Sequence, residues 1–407
     1  MEDKPRVLMI ITADTKENEA RFLRKCLEDD GLAVYHLDPS VRDSVDCGAD
    51  ITPEQVAAAA GKTIEEVRAL KHEAKCLAVM IEGSVKCAHE LHSRVGLSGI
   101  IAAGGALGTS LGAALMQTFP LGLPKIMVST MASGMTRPFV GPRDIIMIPS
   151  ICDLAGLNSV TRCILQNAAH ALAGMAHRYQ PLTASGNPLA AISTLSTTEK
   201  CCSAIRTALE QRGWEVMVFH SQGTGGVAMD QAVREQKVSV VINLSLIEVS
   251  DFLVQGLFSG GPDRCKASLQ KGVPTIFAPG NIDFMVAGPI EDARTRFPGR
   301  RYHIHSPELT AVRAEAPEFK RVAEHLASLV KEARGPVAFF VPLHGFSRHD
   351  SEEGHLYDPS LPPVFAQYLK QAMPDWVPIT LLPCHINDQM FADKLIEQAI
   401  EFHRQDR

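Results

Sequence analysis

IITADTKENEARFLRKCLEDDGLAVYHLD, residues 10–38, decides the reading of the first half of this chain. An apolar run from Arg6 ends in a hydroxyl-bearing turn at Thr12–Lys16. A helix-length amphipathic segment follows, then Gly31 and a second apolar run, Leu32–Leu37. That order is strand, turn, helix, glycine, strand, the outline of a βαβ unit. It returns at residues 192–220 as ISTLSTTEKCCSAIRTALEQRGWEVMVFH. Displaced by 182 positions, Thr12 matches Thr194, Thr15 matches Thr197, Glu17 matches Glu199 and Gly31 matches Gly213. The expected fold class is therefore α/β. It should comprise two Rossmann-like domains, residues 1–184 and 185–407, each a mainly parallel sheet flanked by helices, with a ligand cleft between them.

The same alternation extends along the chain. In the first half, strands are expected at Arg6–Ala13, Leu32–Leu37, Gly99–Ala103, Lys125–Thr130 and Asp144–Ile148. After a break near Gln180–Pro188 they are expected at Leu189–Leu195, Glu215–Phe219, Val238–Asn243, Thr275–Ala278, Tyr302–His305, Val337–Pro342 and Ile379–Leu382. Continuous Val/Ile-rich runs separated by helices argue for parallel strands covered on both faces.

Composition narrows the function. The 407 residues carry 40 Lys plus Arg against 46 Asp plus Glu, a net charge of −6 that disfavours binding to nucleic acid. Cysteines stand at 26, 47, 76, 87, 152, 163, 201, 202, 265 and 384, with no C-x-x-C pair for a structural zinc site. The opening MEDKPRVLMIITA is acidic and its apolar run is only strand-length, unlike a secretory signal. These features lead us to expect a reduced, cytoplasmic setting. Arg94 to Lys125 is free of charge, yet seven glycines and two prolines interrupt it. A buried strand, glycine loop and helix explain it better than a membrane span.

Ligands of parallel sheets bind beyond the carboxyl ends of the strands. Thr12, Asp14, Thr15 and Lys16 follow the first strand, either as helix caps or as ligand contacts. Gly104, Gly105, Gly108, Thr109 and Ser110 follow the third, in a G-G-x-x-G-T-S turn that lacks the lysine of a P-loop. Its amides and hydroxyls would cradle a phosphate or carboxylate. Ser133, Gly134 and Arg137 follow the fourth, and Arg137 offers a bidentate grip on an anion. In the second half, His220 opens HSQGTGG, whose Gly223, Thr224, Gly225 and Gly226 form another glycine turn. Asn281 and Asp283 follow a strand, His303 and His305 close another, His344 opens HGFSRHD with Asp350, and His385 opens HIND. Histidines at successive strand ends would converge as general acid–base groups. Without an H-E-x-x-H pattern, a metal site is not expected.

These segments carry a resemblance. TADTK (12–16), GGALGTSLGAALMQTFPLGLPKIMVSTMASG (104–134), GTGG (223–226), GPDR (261–264), PGNID (279–283), HGFSRHD (344–350) and HIND (385–388) occur in the order of the Tm-one-like ATP-binding family. The chain resembles that family over essentially its whole length. The resemblance implies two Rossmann-like domains, binding of ATP with magnesium, and a homodimer. Plant members fuse a TIM-barrel domain after this module, so with the chain ending at Arg407 such a barrel is expected only as a separate partner protein. The loop reads GGALGTS where the family has a more glycine-rich turn. Leu107 narrows the space there and leaves room for a smaller carboxylate or phosphate ester.

Three functions stay open at this stage. One is a nucleotide-binding metabolic protein. A second is a hydrolase or lyase acting on a small oxo acid or acyl compound. There His220, His344 or His385 would be the general base, oriented by Asp14, Asp283 or Asp350, with loop amides stabilising an oxyanion. The third is a non-catalytic regulatory module.

Overall fold

The apolar run that opens the chain forms β1 (Arg6–Ile10), whose Val7, Leu8 and Met9 are inaccessible to solvent. It feeds α1 (Ala13–Asp29), which ends where Gly31 adopts φ +84°, and Leu32 N–H donates back to Leu27 O. Only glycine takes this left-handed bend without a side-chain penalty, so the chain turns sharply into β2 (Ala33–Leu37). Three helices follow, α2 (Pro53–Ala59), α3 (Ile64–Ala69) and α4 (Glu73–Val95). Then come β3 (Gly99–Gly104), α5 (Ala106–Met116), β4 (Lys125–Ser129), α6 (Arg137–Val140), β5 (Ile146–Pro149) and α7 (Ser159–Ala176). This is a computed structural model, and it describes residues 4–43, 45–134 and 136–405. The chain divides into two compact units, Met1–Thr183 and Ala184–Arg407.

In the first unit the described strands make one parallel sheet in the order β2-β1-β3-β4-β5. The uncharged stretch between Arg94 and Lys125 supplies its centre. Gly112 lets α5 lie close on the sheet, because a Cβ there would stand 2.7 Å from Ala102 Cβ and 2.4 Å from Met127 Cε. No helix among the described residues is long and apolar enough to cross a membrane.

The second unit repeats the plan. β6 (Leu189–Thr194), α8 (Glu199–Glu210) and β7 (Glu215–His220) copy the opening βαβ. Gly213 takes φ +79° and Trp214 N–H donates to Leu209 O, the same helix ending as at Gly31. α9 (Gly225–Glu235), β8 (Val240–Ser245), α10 (Ile247–Val254), α11 (Lys266–Lys271) and β9 (Thr275–Gly280) continue it. β10 (Phe284–Ala287), α12 (Ile290–Arg296), β11 (Tyr302–Ser306) and β12 (Leu309–Arg313) follow. The chain closes with α13 (Ala316–Val330), β13 (Val337–Pro342), α14 (Leu361–Ala372), β14 (Ile379–Leu382) and α15 (Gln389–Gln405). The large sheet is parallel, ordered β14-β13-β9-β8-β6-β7.

One expectation needs correction. The strand at Tyr302–His305 is not part of the parallel sheet. It pairs antiparallel with β12 in a separate three-stranded sheet ordered β10-β12-β11. Its sequence alternates apolar and polar residues, as suits a half-exposed antiparallel strand rather than a buried parallel one. His303 and His305 therefore lie within this side sheet, where His303 packs against His349 and His355 of the segment after β13, rather than ending a parallel strand themselves.

Candidate functional site

In the first unit the strand order reverses at β1 and β3, the place where parallel sheets open a crevice at their carboxyl ends. A cavity of about 540 Å³ lies there. Thr12, Asp14, Thr15 and Lys16 form one wall, and Gly104, Gly105 and Gly108 form another. Arg42, Lys71, His72 and Glu73 complete the polar rim, while Leu77, Met80, Leu107 and Leu111 give an apolar surface.

Each wall has a local reason for its shape. Asp14 Oδ2 accepts from the N–H groups of Val41 and Arg42 (3.3 and 3.0 Å), so its carboxylate fastens the loop after β2. The first amides of α1 are satisfied from that loop, Ala13 N–H by Asp38 Oδ1 (3.1 Å) and Asp14 N–H by Ser40 Oγ (3.1 Å). Burial raises the Asp38 carboxyl and lowers the neighbouring His36, whose Nε2 meets Ile11 O at 3.0 Å. Lys16 leaves helical geometry (φ −140°, ψ 37°) and kinks the first turn of α1 beside the cavity. Across the crevice Gly104 is obligatory, since a Cβ would stand 2.8 Å from Gly108 Cα. A Cβ on Gly108 would meet nothing closer than Ala103 O at 3.8 Å.

Side-chain capping differs from helix to helix in this unit. α2, α3 and α7 begin with complete capping boxes, through Thr52, Thr63 and Asn158. α4 and α5, whose first residues line the cavity, begin at His72 and Gly105 with no side-chain cap. Their first N–H groups have no partner within the helix, and both positive dipole ends face the same space as Lys16, Arg42 and Lys71. Lys71 sits at φ +47°, unusual for a residue with a side chain, immediately before α4.

Two expected contacts of the glycine turn point elsewhere. Thr109 is inaccessible, and its hydroxyl is bonded to Ser129 Oγ (2.6 Å) and Gly104 O (3.3 Å). Ser110 Oγ donates back to Ala106 O at 2.9 Å. Both hold the turn rather than face the cavity. Ser133 lines a different cavity of about 560 Å³ with Thr130, Ser150 and Asp153. Gly134 lies in a turn closed on Met131 O, Arg137 opens α6, and neither lines either cavity.

In the second unit the glycine turn is filled from within. Gly223 and Gly226 N–H both donate to Glu248 Oε1 (2.8 and 3.0 Å). Glu248 is inaccessible and its Oε2 accepts from Arg264 Nε at 2.8 Å. A Cβ on Gly226 would collide with both partners, and one on Gly225 with His220 O, so these glycines serve close packing. Within the expected cradle of Gly223, Thr224, Gly225 and Gly226, the amides of Gly223 and Gly226 thus hold the chain's own carboxylate. Asn281, at φ +65° and inaccessible, donates from Nδ2 to Thr197 Oγ1 and accepts from Thr198 Oγ1, tying two loops together instead of meeting a ligand.

Of the three histidines expected to converge, His344 and His385 follow neighbouring strands, with His344 N–H donating to Cys384 O at 3.0 Å, but His220 lies apart from them. His220 ends the edge strand β7, while His344 follows β13 and is exposed. β6, β8 and β9 separate those strands, about 19 Å at the usual ~4.8 Å strand spacing. His385 has both ring nitrogens engaged, Nε2 with Ser347 O (2.9 Å) and Nδ1 with Asn387 N–H (3.1 Å). Nδ1 accepts from Asn387 N–H, and Nε2 faces the Ser347 carbonyl. Asp283 and Asp350 are inaccessible and belong to the same network, Asp283 through Ser347 Oγ (2.6 Å) and Asp350 through Arg313 Nη1 (2.8 Å). Only Asp14 of the expected catalytic set lies at a cavity described here, and it serves the wall. Among the described residues, no three His, Cys, Asp or Glu side chains are grouped to hold a metal ion.

The reading of the sequence overlooked Arg42, Lys71, His72 and Glu73. Arg42 lies in the loop after the second strand, to which the same edge rule applies. Lys71 and His72 lie far along the chain from any strand, and only the packing of α4 against α5 brings them to the crevice.

Comparison with known proteins places these features in a lineage. The N-terminal domain model of an uncharacterised protein family, UPF0261, matches residues 5–181, and its C-terminal domain model matches residues 187–403. A UPF0261 protein of Clostridium tetani is 33% identical over 97% of this chain and 98% of its own length. One from Mesorhizobium japonicum is 34% identical over 95% and 96%. The tomato ToMV resistance protein Tm-1(GCR237) is 28% identical over 100% of this chain, which spans 57% of that longer protein. This kinship supports the Tm-one-like family read from the motifs and leaves its ligand open. Among solved structures, spinosyn rhamnosyltransferase SpnG aligns over 98% of this chain and 95% of its own at 11% identity and a TM-score of 0.22, too distant to carry an argument.

Proposed function

The chain belongs to the UPF0261 family, and from that premise we propose that its first unit binds a phosphate-bearing ligand of the nucleotide class, ATP or a close relative, in the β1/β3 cavity. One observation carries this reading. Two helices without side-chain caps direct their amino ends into a single cavity that Lys16, Arg42 and Lys71 also line. Backbone donors, dipoles and three cations favour an anion, and the apolar surface of Leu77, Met80 and Leu111 suits a base or other flat group. A dinucleotide fits less well. Dinucleotide-binding Rossmann folds use a carboxylate after the second strand to hold a ribose. Here that position is Asp38, inaccessible and engaged with Ala13 N–H and Ser40.

The hydrolase or lyase reading is weakened by the separation of His220 from His344 and His385 and by the engagement of both ring nitrogens of His385. Binding coupled to regulation or to chemistry at the bound phosphates is what the first unit favours.

Calorimetric titration with ATP, ADP and inorganic phosphate, with and without magnesium, tests the proposal. Wild-type protein should bind a nucleotide and gain about 2.7 kcal/mol of stability at a hundredfold excess over Kd. Gly108→Leu has room to fold and fills the cavity mouth, so it should abolish binding. Lys16→Gln and Lys71→Gln should each weaken it by about tenfold, the scale of one charge-assisted hydrogen bond. Thr109→Val, altering a hydroxyl turned away from the cavity, should change affinity much less. Unchanged affinity in Gly108→Leu, or no response to any nucleotide, sinks the assignment.

A further inference from the structure

Arg313, the last residue of β12, is only 1% exposed. Its Nη1 donates to Asp350 Oδ1 at 2.8 Å and lies 3.9 Å from Asp283 Oδ2. Its Nε and Nη2 are buried, and neither has a hydrogen-bond partner among the described residues. These two nitrogens share one edge of the planar guanidinium. Their parallel N–H bonds form the fork that matches the paired oxygens of a carboxylate. Native proteins rarely bury such donors without something to receive them.

Arg313 also lines a cavity of about 470 Å³ in the second unit, with Arg301, Glu315, Ala316, Asp358 and Leu361. The other charged groups there are already matched. Arg301 Nη2 is bonded to Asp358 at 3.0 Å, and Glu315 pairs with Arg300 at 3.3 Å. The unmatched donors are the Nε and Nη2 edge of Arg313, which is itself closed to solvent, so a ligand in the cavity reaches it only as the lining opens.

We propose that this cavity binds a small monocarboxylate, held side-on by Nε and Nη2 of Arg313. The single charge follows from the surroundings. Asp350 and Asp283 stand 2.8 and 3.9 Å from Nη1, and Glu315 and Asp358 line the cavity, so a dianionic phosphate meets more repulsion than a monoanion does. Leu361 and the methyl of Ala316 offer apolar contact to a short carbon chain. The site shares no residue with the nucleotide cavity of the first unit and is independent of that reading.

The test uses the full chain labelled with ¹⁵N-arginine, titrated separately with acetate, propionate and pyruvate. Chloride and inorganic phosphate at matched ionic strength are the controls. Loss of one Nε–H resonance in Arg313→Lys assigns the signal. That signal should shift saturably with at least one monocarboxylate and stay in place with chloride. Ala316→Phe fills the cavity but leaves the Arg313–Asp350 pair intact, and should weaken binding by about tenfold or more. If folded, Arg313→Lys should weaken it similarly, as read by calorimetry. If it does not fold, Ala316→Phe alone decides the location, and the arginine signal that moves saturably with carboxylate is the one observed. No saturable shift in wild type overturns the proposal. So does phosphate binding at least as tightly as the monocarboxylates, or wild-type affinity in Ala316→Phe.

Discussion

Glu248 gives the Gly223–Gly226 turn the anion that such a turn otherwise takes from solution. Its carboxylate receives two loop amides and the buried Arg264, whose Nη1 also reaches Asp230 at 3.4 Å. Glu248→Ala would leave a buried guanidinium short of a partner and two amides unsatisfied. A loss of about 3–5 kcal/mol in the stability of the second unit is expected. Both tryptophans, Trp214 and Trp376, lie in that unit, so urea unfolding followed by tryptophan fluorescence reads the change directly. A loss near zero would mean that the amides find other acceptors. The two glycine turns looked equivalent in the sequence. Glycine spacing reports where the backbone can approach an anion, but not whether the chain itself supplies one from twenty-odd residues away.

At the scale of elements, β11 and the segment after β13 bring imidazoles together. His303 stacks on His355 with ring centroids 4.8 Å apart and lies 4.5 Å from His349, which also meets Phe284 of β10 edge-on at 5.4 Å. Burial, then the neighbouring imidazoles and Arg348, push His349 down to about 4. Its folded value lies below the ordinary one near 6.5, so its contribution is complete above that pH and is lost as pH falls toward 4. Asp283 works in the opposite sense. Burial, then the charge of Asp350, raises it to about 7. The folded state keeps a proton that the unfolded chain releases near 4, so this contribution falls as pH rises from about 4 to 7. Urea midpoints between about pH 7 and pH 4 should therefore change less steeply on the acid side in His349→Phe than in wild type. An unaltered acid slope would show that His349 is solvated. The sequence did not reveal this cluster, because the antiparallel sheet that assembles it was read as one more parallel strand. Phe284–Ala287 and Leu309–Arg313 are too short to stand out beside the long Val/Ile-rich runs.

At the scale of the molecule, each hydrophobic cluster draws its residues from one unit. Two clusters, around Leu8, Ile100 and Met127 and around Val7, Ile101 and Leu172, fill the faces of the first sheet. Those of the second unit are built from residues after Pro188. Every residue lining the cavity at β1 and β3 also precedes the division at Thr183. A fragment of residues 4–183 should therefore fold cooperatively alone and bind ATP within about threefold of the whole chain, a difference below 1 kcal/mol. Circular dichroism melts and calorimetry check both parts. A fragment that folds but does not bind would mean that the second unit completes the site.

The sequence by itself determined the two α/β units, the paired βαβ openings and the turn at Gly104–Gly108. Those features rest on local rules: periodic burial, helix-ending glycines at 31 and 213, and the need for a glycine where the backbone packs against itself. Tertiary structure alone decided which polar groups face a cavity. Thr109 turned inward to Ser129, Glu248 filled one glycine turn, His220 and His344 fell on well-separated strands, and Lys71 reached the crevice on α4. Each outcome depends on pairings between residues distant in sequence. A side chain's environment is set by what packs across from it, and a single chain read in order does not contain that partner.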